Sequence, residues 1–317
     1  MRSPLPVSGY CYYHDLLLNW SPGTTITDVK LELAKEEEAD AGRGIIRSHE
    51  TSPSTFLTVG LDLEEQQYVA LLFEPMVFAD TCGFRRELAQ EYKKKKTTTL
   101  HAAELLEKRN SLRRRIETWR EVQVHYMPGI TQARASLPAI TPEKPETMHL
   151  CLPSIMPSSL WATGCLPGIV DKERRLRLAQ ADDALAELRR QLRIAATIRD
   201  YKKSIGPSQK LGLRTRTLLK RFHDKTLRCA RRYSAAFEAL KALDPNGDWT
   251  ARLRHLDHAR DIRGPHRDED DESEGKREMS WIWLAGQADG QPSLDTITAD
   301  EISTSECNSL FVTTALT

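Results

Sequence analysis

Several signatures are missing from this chain. It has no GxxxxGK[ST], no GxGxxG after a strand and no GxSxG, so phosphate-loop and hydrolase chemistry lack their starting signals. Nowhere do about 18 apolar residues run together, which excludes a membrane-spanning helix, and Leu16 to Leu18 is too short for a signal core and follows His14 and Asp15. The six cysteines (Cys11, Cys82, Cys151, Cys165, Cys229, Cys307) show no CxxC spacing, which argues against a zinc ribbon or a disulfide framework and for a reducing compartment. Aromatic residues make up only 7% of the chain and rarely interleave with the basic clusters, so base stacking along a single strand is poorly supported.

Apolar residues are also scarce for a compact globule. Only 39% of the chain is hydrophobic and 29% is charged, a balance that suits extended helices with narrow cores. The net charge of +1 hides a strong segregation: Lys172 to Arg260 holds 23 Lys and Arg against 10 Asp and Glu, while the stretch from Gly286 onward has 5 acidic residues and no Lys or Arg. Such a basic segment fits either a solvated helix exterior or a polyanionic partner, with DNA the leading candidate.

What is present is mainly helical periodicity. Leu112, Ile116, Trp119 and Tyr126 lie at intervals of four, three and seven, forming one apolar stripe, with Arg113, Arg114, Arg115 and Arg120 off it, before Pro128 stops the pattern. Leu178, Ala181, Leu185, Leu188, Leu192 and Ala195 follow a heptad register up to Gly206-Pro207. Leu219, Phe222, Thr226, Cys229, Tyr233, Ala236, Leu240 and Leu243 repeat it up to Asp244-Pro245. Two such helices across a short Gly/Pro turn predict an antiparallel hairpin over 171–244. A helix capped by Thr27, with Ile26 as its staple, is expected to end at Gly42, and another is expected to open at Ser52-Pro53, with Gly60 weakening its continuity.

Residues 68–84 form an atypical apolar insert, after which a basic helix is expected over 85–127. Pro138, Pro142, Pro145, Pro153, Pro157 and Pro167 make 130–168 a connector without regular elements. The expected organisation is therefore an irregular leader over 1–24 and a helical region over 25–129. The connector follows, then the hairpin with a following helix over 169–263, and last an acidic loop, SWIW segment and disordered tail over 264–317. The fold class is all-α, an extended helical hairpin or coiled-coil-like bundle.

Candidate chemistry is thin. His255 and His258 have i, i+3 spacing but no convergent third ligand, so they read as surface histidines, and Cys151 and Cys165 read as ordinary thiols. The run Asp268, Glu269, Asp270, Asp271, Glu272, Glu274 lacks the EF-hand spacing and reads as a solvated linker. No catalytic residue, metal site or cofactor is expected. The basic clusters are the better lead: Lys93, Lys94, Lys95 and Lys96; Arg113, Arg114 and Arg115; Arg189 with Arg190; Arg214 with Arg216; and Arg231 with Arg232 are candidates for neutralising DNA phosphates.

Six blocks, DVKLELAKEEEAD at 28–40, HETSPSTFLTVGLDLEEQQ at 49–67, EKRNSLRRRIETWREVQVHYMPG at 107–129, LCLPS at 150–154, the heptad helices around LGLRTRTLL, and DIRGP…SEGKREMSWIW at 261–283, occur in one order. In that order they resemble the helical region C-terminal to the catalytic core of the fungal KDZ (Kyakuja, Dileera, Zisupton) DNA transposases. The resemblance spans roughly two-thirds of the chain. The residues before Thr24, the 68–84 insert and the tail after Trp283 depart from it.

The resemblance implies cut-and-paste transposition by an RNase H-like core whose acidic triad holds two divalent metals, preceded by a cysteine-rich zinc segment. None of those acids or ligands matches a position here. The expectation is a C-terminal fragment lacking the catalytic core, not itself an enzyme, located in the nucleus, with nonspecific DNA binding or self-association through its heptad helices and no membrane partner. The alternative is a coiled-coil interaction protein with no nucleic-acid function.

Overall fold

The structure, a computed structural model, describes residues 24–44, 49–72, 99–135, 144–205, 209–264 and 280–285. These residues lie within one compact unit and are all-α, with no strand among them.

Helix α1 (Ile26–Gly42) starts at a reciprocal capping box: the Thr25 hydroxyl accepts the Asp28 N–H at 3.2 Å and the Thr25 N–H donates to Asp28 Oδ2 at 3.0 Å. The cap is therefore Thr25, not Thr27, because only Thr25 has a carboxylate three residues on to return the bond. The Ile26 N–H is satisfied from far away in sequence, by Asp183 Oδ2 at 3.0 Å.

Helix α2 (Pro53–Leu72) runs unbroken through Gly60 and continues over Tyr68–Leu72, the start of the apolar insert; residues 73–84 lie outside the described set. Gly60 is there for space. A β-carbon on it would stand 2.9 Å from both Leu152 Cδ2 and Trp119 Cζ2, so the missing side chain lets α3 (Thr99–Tyr126) and the chain near Leu152 close onto α2. Trp119 stacks on Phe56 with ring centroids 5.1 Å apart and donates its indole N–H to the Phe56 carbonyl at 2.9 Å. The predicted stripe Leu112, Ile116, Trp119 and Tyr126 is buried here. The basic helix expected over 85–127 is seen from Thr99; its first part lies outside the described residues.

The proline-rich segment is more regular than its composition suggests. It carries the short helices α4 (Ile130–Ala135) and α5 (Trp161–Gly164) and three 3-10 turns, two of which begin on Pro145 and Pro153, where a missing N–H is harmless. Leu150, Cys151, Leu152 and Met156 enter the main core. Cys151 adopts the left-handed region at φ 55, a conformation costing on the order of 1–3 kcal/mol for a non-glycine. Gln123, fully buried on α3, holds it there by donating to the Leu150 carbonyl at 3.0 Å and the Cys151 carbonyl at 2.8 Å.

Helices α6 (Ile169–Ile205) and α7 (Gln209–Leu243) lie side by side along much of their length. They run antiparallel: Arg174, near the start of α6, approaches Asp244 just past the end of α7, while Glu187 midway along α6 lies in the field of Arg232. Of the heptad residues, Ala181, Leu185, Leu188, Leu192 and Ala195 on α6 and Phe222, Thr226, Cys229, Tyr233, Ala236, Leu240 and Leu243 on α7 are buried, and Leu219 is half-buried. Leu178 is half-buried, and its neighbours Leu176 and Ala179 are buried in the core formed with α1, α2, α3 and the proline-rich segment. Each fully buried leucine among them stabilises the fold by roughly 2 kcal/mol.

The helix expected after Asp244 is not formed. A 3-10 turn at Asp248–Ala251 is followed by irregular chain, whose backbone groups are taken by side chains: Tyr233 Oη donates to the Arg254 carbonyl at 2.7 Å and accepts its N–H at 3.2 Å, and Asp257 accepts the Ala259 N–H at 2.8 Å. Side-chain bonds of this kind compete with the helical ladder, so the segment docks as loop.

Candidate nucleic-acid interface

The predicted basic residues have different fates. Lys93, Lys94, Lys95 and Lys96 lie outside the described residues. On α3, Arg113 is half-buried, whereas Arg114 and Arg115 are exposed, with Arg115 donating to Gln66 on α2. Arg190 is exposed and forms a two-point pair with Glu187 at 2.9 and 3.1 Å. Arg231 is exposed with its guanidinium carbon 5.7 Å above the Tyr68 ring, and Arg232 is half-buried, 3.7 Å from Glu65.

Arg189 is a correction to the candidate set. Only 3% of it is exposed, and it donates to the Ile282 and Ala285 carbonyls, at the end of the 3-10 turn Trp281–Trp283. Burial, helped by the nearby Arg193, lowers its guanidinium to about 10, which still leaves it charged at neutral pH. Its role is to seat the SWIW segment, and it presents nothing to a phosphate. The segment is further fixed by the Trp281 indole N–H on Asp261 at 2.9 Å and that of Trp283 on the Arg263 carbonyl at 3.1 Å.

A larger cationic surface emerges from the helix pair itself. Between Leu188 and Arg228 the sequence has 13 Lys and Arg against two acidic residues, Asp200 and Asp224. Because α6 and α7 are antiparallel, these two stretches belong to the same end of the pair, where Arg190, Arg199, Arg216, Arg221 and Lys225 are exposed. The opposite end is electrically different. There α1 supplies Glu32 and Glu36 to Arg175 at 3.2 and 2.8 Å, and the loop after α7 supplies Arg252 to the buried Asp182. Arg199, Lys220, Arg221 and Lys225 are isolated or paired cations that a search for Arg and Lys runs passes over; a charge count over the helix pair finds them.

Buried ion chemistry sits at the base of α6. Arg177, 1% exposed, bonds Glu64 at 2.6 Å, Gln180 at 3.1 Å and Glu173 at 3.2 Å. Burial pushes the Glu173 carboxyl upward, against the pull of Arg177 and Ser154. These groups are enclosed and serve the fold.

His255 and His258 share no metal geometry. His258 Nε2 lies 3.4 Å from the Ser234 hydroxyl and His255 Nδ1 lies 3.9 Å from Glu238. No group of three or more His, Cys, Asp or Glu among the described residues is placed to hold a metal ion, and no described helix is long and apolar enough to cross a membrane. Cys151, Cys165 and Cys229 are buried free thiols, the last two pushed up to about 11 chiefly by burial. Comparison with family models, curated proteins and solved structures gives no match for this chain.

Proposed function

We propose that this protein is a helical, nonspecific DNA-binding module, of the accessory kind implied by its resemblance to the KDZ transposases, and that the phosphates are engaged by the end of the α6–α7 pair carrying Arg190, Arg199, Arg216, Arg221 and Lys225. The observation that carries the reading is the excess of cations over acids between Leu188 and Arg228, 12 to 2 once the enclosed Arg189 is set aside, on two helix stretches that the antiparallel packing brings to one end. Such a surface binds through counterion release and carries no base readout of its own.

The alternative, an interaction protein joined to a second chain through its heptad seams, is less well supported. The seam residues are buried within this chain, and the exposed large apolar side chains, Leu31, Leu106, Val124, Ile155 and Leu284, are spread over separate segments.

The test is duplex binding by fluorescence anisotropy against salt. Five phosphate contacts should weaken binding about 500-fold between 50 and 200 mM salt, and replacing the five named cations with Gln should flatten that slope. Absence of binding at low salt, or affinity indifferent to salt, overturns the proposal.

A further inference from the structure

The turn from His149 to Cys151 fixes two arginines. Arg120 on α3 donates through Nη2 to the His149 carbonyl at 2.8 Å. Arg134 on α4 donates through Nη2 to Gln123 Oε1, and the same Gln123 grips the Leu150 and Cys151 carbonyls through Nε2. Each guanidinium is therefore pinned at one corner, and the turn that pins them keeps Cys151 in the left-handed region. Backbone strain imposed in this way by its surroundings is common at ligand clamps.

The two side chains oppose one another electrically. Burial, and next the charge of Arg134, hold the Arg120 guanidinium below its ordinary value; Cys151 and Glu117 pull it upward without restoring it. Neither arginine forms an ion pair among the described residues, and Glu117, exposed on α3, acts on Arg120 only at a distance. Cys151 supplies no countercharge, because burial pushes its thiol up and leaves it protonated at neutral pH. Two guanidiniums brought together without a carboxylate repel, and an anion between them removes that repulsion.

Their free ends are open to such a group. The Nε of each is enclosed and offers nothing to a ligand, whereas the Nη1 of each is neither enclosed nor bonded to a described residue, and both residues are half-buried. Guanidinium donors suit oxyanions, and two of them call for two negative charges. A carboxylate or a backbone phosphodiester carries one, while a phosphate monoester carries about −1.5 to −2 at pH 7 on three acceptor oxygens. We infer that Arg120 and Arg134 clamp a phosphate dianion, either the terminal phosphate of a nucleic-acid strand or a free phosphate. The inference does not depend on DNA binding by the helix pair.

Calorimetric titration with inorganic phosphate, with chloride holding the ionic strength constant, tests it. The dissociation constant should be about 1 mM or tighter. Arg134→Gln should weaken binding at least about tenfold, with thermal melting in chloride confirming that the variant is folded. Glu117→Gln, at an exposed position, keeps the fold and should tighten binding about twofold by removing an opposing charge. Competition in the variant whose five helix-pair cations are Gln separates the sources. A 5′-phosphorylated duplex that displaces phosphate, when the same duplex with 5′-hydroxyl ends does not, identifies a strand end; displacement by neither identifies free phosphate. Equal displacement by both duplexes, no heat with phosphate at millimolar concentration, or a folded Arg134→Gln that binds as the parent does overturns the clamp. If Arg134→Gln does not fold, an unchanged affinity in Glu117→Gln overturns it. Phosphate binding should survive replacement of the five helix-pair cations, so failure of either proposal is read separately.

Discussion

The Glu37 carboxylate accepts both the backbone N–H and the hydroxyl of Ser54, each at 2.8 Å, bolting the end of α1 to the start of α2. The same device recurs where Glu173 accepts the Ser154 N–H at 2.9 Å and its hydroxyl at 2.8 Å. Both serines follow a proline at the start of a helical turn, where backbone N–H groups have no partner within the helix. Lys172 and Glu173 are neighbours on α6, and Lys172 reaches Glu37 at 3.3 Å, so one turn of α6 serves both joints.

This joint makes stability depend on acid. Burial works to raise the Glu37 carboxyl, but Ser54, Ser52 and Lys172 together hold it below the ordinary glutamate value. The unfolded chain therefore takes up the proton first as pH falls. The stabilisation is complete above the unfolded value of about 4.3 and is lost as pH drops through the lower folded value. Glu37→Gln should lower stability at pH 7 by about 1–3 kcal/mol and flatten its dependence between pH 5 and 3. Urea melts across that range measure both, and an unchanged pH slope would refute the assignment.

Gly60→Ala should run against helix propensity. On an exposed helix the change would stabilise by roughly 1 kcal/mol, yet here the added carbon meets Leu152 and Trp119 at 2.9 Å, so a loss of about 1–3 kcal/mol is expected. Thermal unfolding decides the sign.

Arg189→Ala should lower stability by about 2–3 kcal/mol and shift tryptophan emission to the red as Trp281 and Trp283 lose their seat, because two carbonyl acceptors lose a charged donor. The salt slope of DNA binding should stay as in the parent protein. Arg190→Ala should do the reverse, reducing the slope by close to one while leaving stability within about 0.5 kcal/mol.

The buried stripe on α3 and the seams of α6 and α7 follow from spacing, since side chains three and four apart share a helix face wherever the helix is placed. Overall charge segregation was equally open to reading along the chain. The polar positions were not. Gln123 lies at helical spacing from Trp119 and Tyr126, but its use as a clamp on the Leu150 and Cys151 carbonyls depends on a segment nearly thirty residues away. Arg189 sits next to Arg190 in sequence and reads identically, yet one is enclosed by the SWIW segment and the other faces solvent.

Sequence alone determined the helical class, the apolar faces and the cationic stretch, because burial of hydrocarbon depends mainly on local periodicity and scales with area. Tertiary structure decided which charges are enclosed and why a proline-rich segment joins the core. A polar group can be buried only when a partner meets it at bonding distance, and several of those partners lie far off along the chain: Ser54 is 17 residues from Glu37, Glu64 is 113 from Arg177 and Asp183 is 157 from Ile26.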